Sequence, residues 1–290
     1  MLTPVLVLVK NSWDFFRANW RDWRPSLLIL AISLFATQII KLLIPATPHE
    51  DGTVSFSLAY IITNGLTSLI FAAVSLWNGI LITKSIADKF QNLPDEPFAV
   101  AKQTTTTLFW PAVVSTIFSG LIVGGAALGF ISLFFGLGLG VSVINDHLTS
   151  FINPMWLFIV VLAGAIVTIT FLSVQLSFVL QATVLENVRN WQTVKSSWTL
   201  VKRHGWGAIF WRLIGSSFLF ILLAGLLYLP VAAPLAILET SLAVMKPNLV
   251  VFFHWPIAII LSAWWAILVA IFTVCVFVVK NSLYLELKQK

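Results

Sequence analysis

The sequence predicts an all-α integral membrane protein with six transmembrane helices, built as three tandem repeats of an interfacial helix and a helical hairpin. Hydrophobic residues make up 59% of the chain and charged residues 10%, with a mean hydropathy of +0.97. Soluble domains carry about 25% charged residues, so this composition excludes a soluble fold. Six apolar stretches reach the roughly 20 residues that a bilayer-crossing helix needs. A lysine-containing pattern also recurs at a nearly fixed interval.

The apolar stretches define the spans. We place them near residues 25–45, 58–83, 108–130, 155–183, 208–232 and 255–279. After the third span the apolar run continues and contains Gly136, Gly138 and Gly140, which predicts a broken or re-entrant segment over 131–153. The first basic residues follow the first apolar ones, so we expect no cleaved signal peptide. The single cysteine, Cys275, excludes a disulfide within one chain.

The recurring pattern predicts internal duplication. Lys10, Lys102 and Lys195 are 92 and 93 residues apart. The segments 9–13 and 194–198 are close copies, and the segment around Lys102 is a weaker one. A fixed period of this length is typical of repeated structural units. We expect one membrane domain over 1–290, with units near 1–92, 93–186 and 187–290.

Each repeat begins with a segment that suits the membrane interface. Residues 4–21 and 187–204 place aromatic and aliphatic side chains opposite basic ones, and are too short and too charged to span. The predicted interface residues are Trp13, Phe16, Arg17, Trp20, Trp191, Lys195, Trp198 and Lys202. The middle copy, 97–107, lacks the tryptophans.

The net charge of +6 is a topology signal. Lys and Arg concentrate in the N-terminal segment, the second and fourth loops and the C-terminal tail, whereas the alternate loops carry only Lys41 and Lys246. This asymmetry predicts a bacterial plasma-membrane protein with both termini cytoplasmic. It also predicts contact with anionic lipid headgroups at that face. No compact basic domain is present, so we expect no nucleic-acid partner.

Polar side chains mark two of the spans. The predicted intramembrane stripe comprises Asn64, Thr67, Ser75, Asn78, Thr168, Gln175 and Gln181. Amides are costly in hydrocarbon, so these residues should face the bundle interior. They serve either interhelical hydrogen bonds or a wet cavity for a substrate or lipid headgroups. Small-residue pairs at Gly120/Gly124 and 125/129 favour close helix packing, within one chain or in a homodimer.

The sequence shows few features typical of an active site. We find no nucleophile motif and no buried pair of carboxylates, and therefore expect no enzyme, no catalytic residue and no cofactor. His49, His147 and His254 fall on the predicted outer side near acidic residues, but none has the spacing of a metal-ligand motif. We expect no metal site.

One segment resembles a known family. Lys195-Ser196-Ser197-Trp198-Thr199-Leu200-Val201-Lys202 follows Glu186 and a long span, and precedes Trp206 and another span. Residues 186–206 resemble a signature of the bacterial membrane domain attached to some glycerophosphodiester phosphodiesterases and of related inner-membrane proteins of unknown role. The resemblance implies the membrane architecture. In the phosphodiesterase-linked members a separate soluble barrel carries catalysis, and these residues contain no such barrel. The glycine-rich insert at 132–153 departs from the family pattern.

Two functions lead from the sequence, and a third, a membrane enzyme acting on lipid headgroups, would need a water-exposed cluster of acids or histidines. The first is a non-enzymatic polytopic membrane protein that handles lipids or supports a membrane complex, because interfacial helices and polar stripes occur without an ionisable core. The alternative is the permease subunit of a transporter, since six spans in 290 residues match that class in size. Against a permease, the repeats are tandem instead of inverted. An unidentified membrane partner is compatible with both.

Overall fold

The structure is a computed structural model, and it describes residues 3–43, 47–48, 54–55, 58–90, 98–144, 154–245 and 247–289. The helices are α1 (Val5–Ala18), α2 (Trp20–Leu43), α3 (Leu58–Phe90), α4 (Phe98–Ile144), α5 (Pro154–Gln175), α6 (Val179–Glu186), α7 (Trp191–His204), α8 (Trp206–Met245) and α9 (Pro247–Gln289). Two short strands, β1 (Thr47–Pro48) and β2 (Val54–Ser55), pair antiparallel.

The predicted all-α membrane class is confirmed. Six helical segments are long and apolar enough to cross a membrane, and they cover residues 20–40, 61–90, 103–133, 159–186, 206–242 and 253–289. Each contains most or all of one predicted span. The three-repeat organisation stays a prediction.

Helix α4 corrects one expectation. The predicted break after Phe130 is wrong, because the helix continues through Gly136, Gly138 and Gly140 to Ile144. Each glycine costs a helix only about 1 kcal/mol relative to alanine, whereas unpaired backbone groups in hydrocarbon cost several. Residues 145–153 lie outside the described part of the chain. Helix α4 also begins at Phe98, so the predicted middle interfacial segment is continuous with the third span.

The short helices α1 and α7 end for identifiable reasons. The Asn19 side-chain amide donates to the Phe15 carbonyl oxygen (2.9 Å), and the Asn19 backbone N–H bonds to the same carbonyl. These bonds satisfy carbonyls that the end of α1 leaves free. Helix α7 carries Lys202, Arg203 and His204 in its last turn, which suits the negative end of the helix dipole. Gly205 then turns the chain with φ +85°.

The contacts divide the chain into two compact units. The first comprises Met1–Phe109 and Trp211–Leu283. Its core contains the fully buried side chains of Trp23, Phe220 and Cys275, and Phe16 of α1 packs into the same cluster. Helices α2 and α3 lie side by side and share a hydrogen bond from the Asn78 side-chain amide to the Ser26 carbonyl oxygen (2.7 Å).

The second unit comprises Trp110–Phe210 and Tyr284–Lys290. Helix α7 packs against α5 and α6, and Leu176, Val179 and Val194 form a small apolar cluster. Asn187 and Asn190 adopt φ values of 53° and 57° in the connection between α6 and α7. Asparagine is among the few non-glycine residues that tolerate this conformation, so the sequence suits a sharp reversal at this point.

Candidate functional site

The fourth span is interrupted inside the second unit. Helix α5 ends at Gln175, and α6 begins at Val179. Between them, the Ser177 N–H donates to the Val174 carbonyl (3.2 Å) and the Val179 N–H to the Leu176 carbonyl (3.3 Å). These are i to i−3 bonds, tighter than the α-helical pattern. The Gln175 carbonyl and the Phe178 N–H therefore lack their helical partners.

Ser197 of α7 pairs with both of these backbone groups. Its hydroxyl donates to the Gln175 carbonyl oxygen (2.6 Å) and accepts from the Phe178 N–H (3.2 Å). Ser197 and Phe178 are both 0% exposed. Buried backbone groups without a hydrogen-bond partner cost free energy, so the Ser197 hydroxyl stabilises the interruption. One turn earlier on α7, the buried Thr193 hydroxyl lies 3.2 Å from the Ser115 hydroxyl of α4.

Glu186, the last residue of α6, is the centre of a polar cluster. Its carboxylate accepts a hydrogen bond from the Tyr284 hydroxyl and pairs with the Lys288 ammonium group (2.7 Å). The Ser196 hydroxyl is 3.4 Å from its second oxygen. The Tyr284 ring also contacts Phe178, with 5.7 Å between ring centroids. The cluster ties the end of α9 to the α6–α7 connection.

A groove of about 320 Å³ opens beside this cluster, between α7 and the end of α9. We call it the basic groove. Its polar lining residues are Gln192, Lys195, Ser196, Thr199, Arg203 and Lys288. Among the described residues, Lys288 pairs with the Glu186 carboxylate, and no carboxylate pairs with Lys195 or Arg203. The groove therefore presents excess positive charge together with two hydroxyls, a combination that binds phosphate or carboxylate oxygens.

The predicted interface residues differ in their surroundings. Trp13, Trp20 and Trp191 are 41%, 44% and 56% exposed. Phe16 is buried in the core of the first unit, and Trp198 is half-buried beside Phe171. The basic side chains are exposed: these are Arg17, Lys195 and Lys202. Part of the apolar face of each short helix therefore contacts protein, while Trp13 of α1 and Trp191 of α7 stay exposed.

The members of the predicted polar stripe are divided between the two compact units. Asn64, Thr67, Ser75 and Asn78 belong to the first unit, and Thr168, Gln175 and Gln181 to the second. Asn78 makes the interhelical bond to Ser26 described above, and the Thr67 hydroxyl bonds to the Thr63 carbonyl of its own helix (2.6 Å).

The other stripe members vary in burial and pairing. Asn64, Ser75 and Thr168 are half-buried, whereas Gln175 and Gln181 are buried. Within the described residues, neither amide atom of Gln181 has a hydrogen-bond partner. A polar side chain left unpaired in this way costs stability.

Of the three histidines on the predicted outer side, His254 lies in the described part of the chain. His49 and His147 lie outside the described residues. His254 pairs with Glu239, with 2.6 Å between the ring Nδ1 and the carboxylate oxygen. In the described ranges, no three histidine, cysteine, aspartate or glutamate side chains gather as metal ligands would.

Ser197, Tyr284 and Lys288 were not among the predicted site residues. The sequence offers one weak signal for the first: Ser196 and Ser197 occur side by side in a helix whose neighbours are basic or aromatic. No local signal points to the last two, because their partner Glu186 is 98 residues from Tyr284 in the chain. No family model matches this chain, and no curated protein or solved structure matches it either.

Proposed function

We propose that this chain is a non-enzymatic multi-pass protein of the bacterial plasma membrane that binds anionic lipid headgroups and thereby handles or organises lipids. The observation that carries the proposal is the basic groove, with Lys195, Arg203 and Lys288 around one opening. The positive-inside pattern predicts that this groove faces the cytoplasm. Anionic lipids give the cytoplasmic leaflet its negative surface potential.

The chemistry of the groove suits a lipid phosphate. Arg203 offers a planar guanidinium group that can bind two phosphate oxygens at once, and Lys195 adds a mobile point charge. Ser196 and Thr199 supply hydroxyls on the same lining. Exposed Trp191 begins the helix that carries all four side chains, and tryptophan favours the headgroup level. The resemblance of residues 186–206 to a bacterial membrane domain agrees with this location.

The test compares two double variants of the full chain in nanodiscs of phosphatidylglycerol and phosphatidylcholine. Lys195→Gln with Arg203→Gln removes two charges from the groove. Arg189→Gln with Lys202→Gln removes two exposed charges next to it, neither of which lines the groove. Native mass spectrometry then measures how much phosphatidylglycerol each protein retains.

The groove variant should lose retention about 30-fold, because each basic residue near an anionic surface contributes about 1 kcal/mol. The control variant should lose far less phosphatidylglycerol, since Arg189 and Lys202 attract the lipid only through the overall electrostatic field of the protein. Equal losses in the two variants would show that the groove is not a binding site. Release of the wild-type protein with a stoichiometric ATPase would instead support the permease alternative.

A further inference from the structure

An apolar cleft of about 390 Å³ lies between α8 and α9 in the first unit. The two helices run antiparallel along it, since Phe220 contacts Phe272 and, farther along α8, Tyr228 contacts Trp265, which comes earlier on α9. On α9 the lining residues extend from Trp265 to Lys280. This antiparallel register places Ser217, the first lining residue of α8, at the same end as Lys280.

The length of the cleft matches one leaflet of a bilayer. Fifteen helical positions separate Trp265 from Lys280, which is about 22 Å at 1.5 Å per residue. A bilayer is about 40–45 Å thick when its headgroup regions are included, so one leaflet with its headgroups contributes about 20–22 Å. A chain that enters beside Lys280 would therefore reach the bilayer midplane near Trp265, and Lys280 would lie at headgroup depth.

Lys280 gives the cleft a charged end. It closes an apolar run, because residues 255–279 contain no Asp, Glu, Lys or Arg. In the described part of the chain, no carboxylate pairs with Lys280. The walls are hydrocarbon and aromatic, and Ile221, Val269 and Phe272 are among them. An apolar wall of one leaflet's length that ends at a cation and a hydroxyl complements a hydrocarbon chain attached to a phosphate.

We propose that this cleft binds one acyl chain of an anionic membrane phospholipid, with the lipid phosphate on Lys280 and the chain along α8 and α9. The cleft lies between two neighbouring helices and measures about 390 Å³. That is room for one chain, and the second chain stays in the bilayer. The inference rests on the proposed lipid function and deepens it by naming the lipid class.

The test uses the full chain in nanodiscs that contain equal phosphatidylglycerol and phosphatidylcholine, followed by native mass spectrometry. Lys280→Gln should lower the preference for phosphatidylglycerol about fivefold, since one basic contact is lost. Lys280→Arg keeps the charge and should behave as wild type. Val269→Trp fills the cleft and should lower retention of both lipids. Ile221→Trp repeats that test at a position that is 67% exposed, where added bulk does not disturb the core.

The outcomes separate this site from the basic groove. Loss of preference in Lys280→Gln with the groove intact, together with loss of retention in a cleft-filling variant, supports the cleft. An unchanged preference in Lys280→Gln overturns it, as does unchanged retention in Ile221→Trp. If the groove variant alone loses lipid, the proposed function stands without the cleft. If a second copy of the chain replaces lipid in the mass spectrum, the cleft is a protein contact and the inference is wrong.

Discussion

Replacing Ser197 by alanine tests the central contact of the second unit. The hydroxyl is the partner of two backbone groups at the α5–α6 interruption, the Gln175 carbonyl and the Phe178 N–H. Alanine leaves both groups buried, because the surrounding side chains exclude solvent. A buried group that loses its partner costs about 1–3 kcal/mol. Side-chain hydrogen bonds inside membranes are worth less on average, about 0.6 kcal/mol with a maximum near 1.7.

In both ranges the 2.6 Å bond to Gln175 belongs at the upper end and the 3.2 Å bond from Phe178 at the lower end, which gives a sum of about 2 kcal/mol inside a membrane and about 4 kcal/mol for buried groups in general. The two losses together should amount to about 2–4 kcal/mol. For a chain of this size, each kcal/mol lowers Tm by about 2–3 °C. Ser197→Ala should therefore melt roughly 4–12 °C below the wild type.

The assay is thermal unfolding in detergent, followed by the intrinsic fluorescence of the 13 tryptophans. Ser196→Ala is the matched control, since the neighbouring hydroxyl makes only a 3.4 Å contact with Glu186. Its Tm should stay within about 2 °C of the wild type. Ser197→Thr keeps the hydroxyl, and its Tm should fall less than that of Ser197→Ala. If Ser197→Ala and Ser196→Ala melt together, the hydroxyl does not stabilise the interruption, and the reasoning from unpaired backbone groups is refuted.

Two further substitutions test other parts of the second unit. Gln181→Met replaces a buried amide, which has no partner in the described residues, by an apolar side chain of similar size, and should raise stability by about 1–3 kcal/mol; a lower Tm would show that the amide is paired in the membrane. Gly205→Ala should lower stability by about 1–3 kcal/mol, because φ is +85° at this position. Gly207→Ala is its control, since Gly207 is helical with open space around it, and should be neutral or stabilising by up to about 1 kcal/mol. A Gly205→Ala protein as stable as the control would contradict the strained conformation.

The spans could be predicted because the information for them is local. A stretch such as 255–279 is apolar throughout, and hydrocarbon leaves such a stretch no other regular structure than a helix. Hydrocarbon places the same constraint on the backbone at Gly136, Gly138 and Gly140, where the helix is continuous. Three glycines do not break this helix, because a backbone in hydrocarbon must keep its own hydrogen bonds.

The interruption at 176–178 could not be predicted in this way. It contains neither proline nor glycine, and a serine 22 residues beyond Gln175 supplies its missing hydrogen bonds. Glu186 likewise meets Tyr284 only through the tertiary fold. The sequence does show that Lys195 and Arg203 share a helix, but not that the end of α9 brings Lys288 beside them. Contacts between distant segments decide the candidate site, and a single sequence does not display them.

The burial of Cys275 has a practical consequence for mapping this protein in the membrane. It is the single cysteine of the chain and is 0% exposed, inside the core of the first unit. A thiol packed in this way is inert towards water-soluble maleimides. The native chain should thus give no maleimide labelling. A cysteine introduced beside Arg203 or at the C-terminus then gives a labelling signal that comes from that position alone. Labelling of intact and of permeabilised cells would then assign that position to one side of the bilayer.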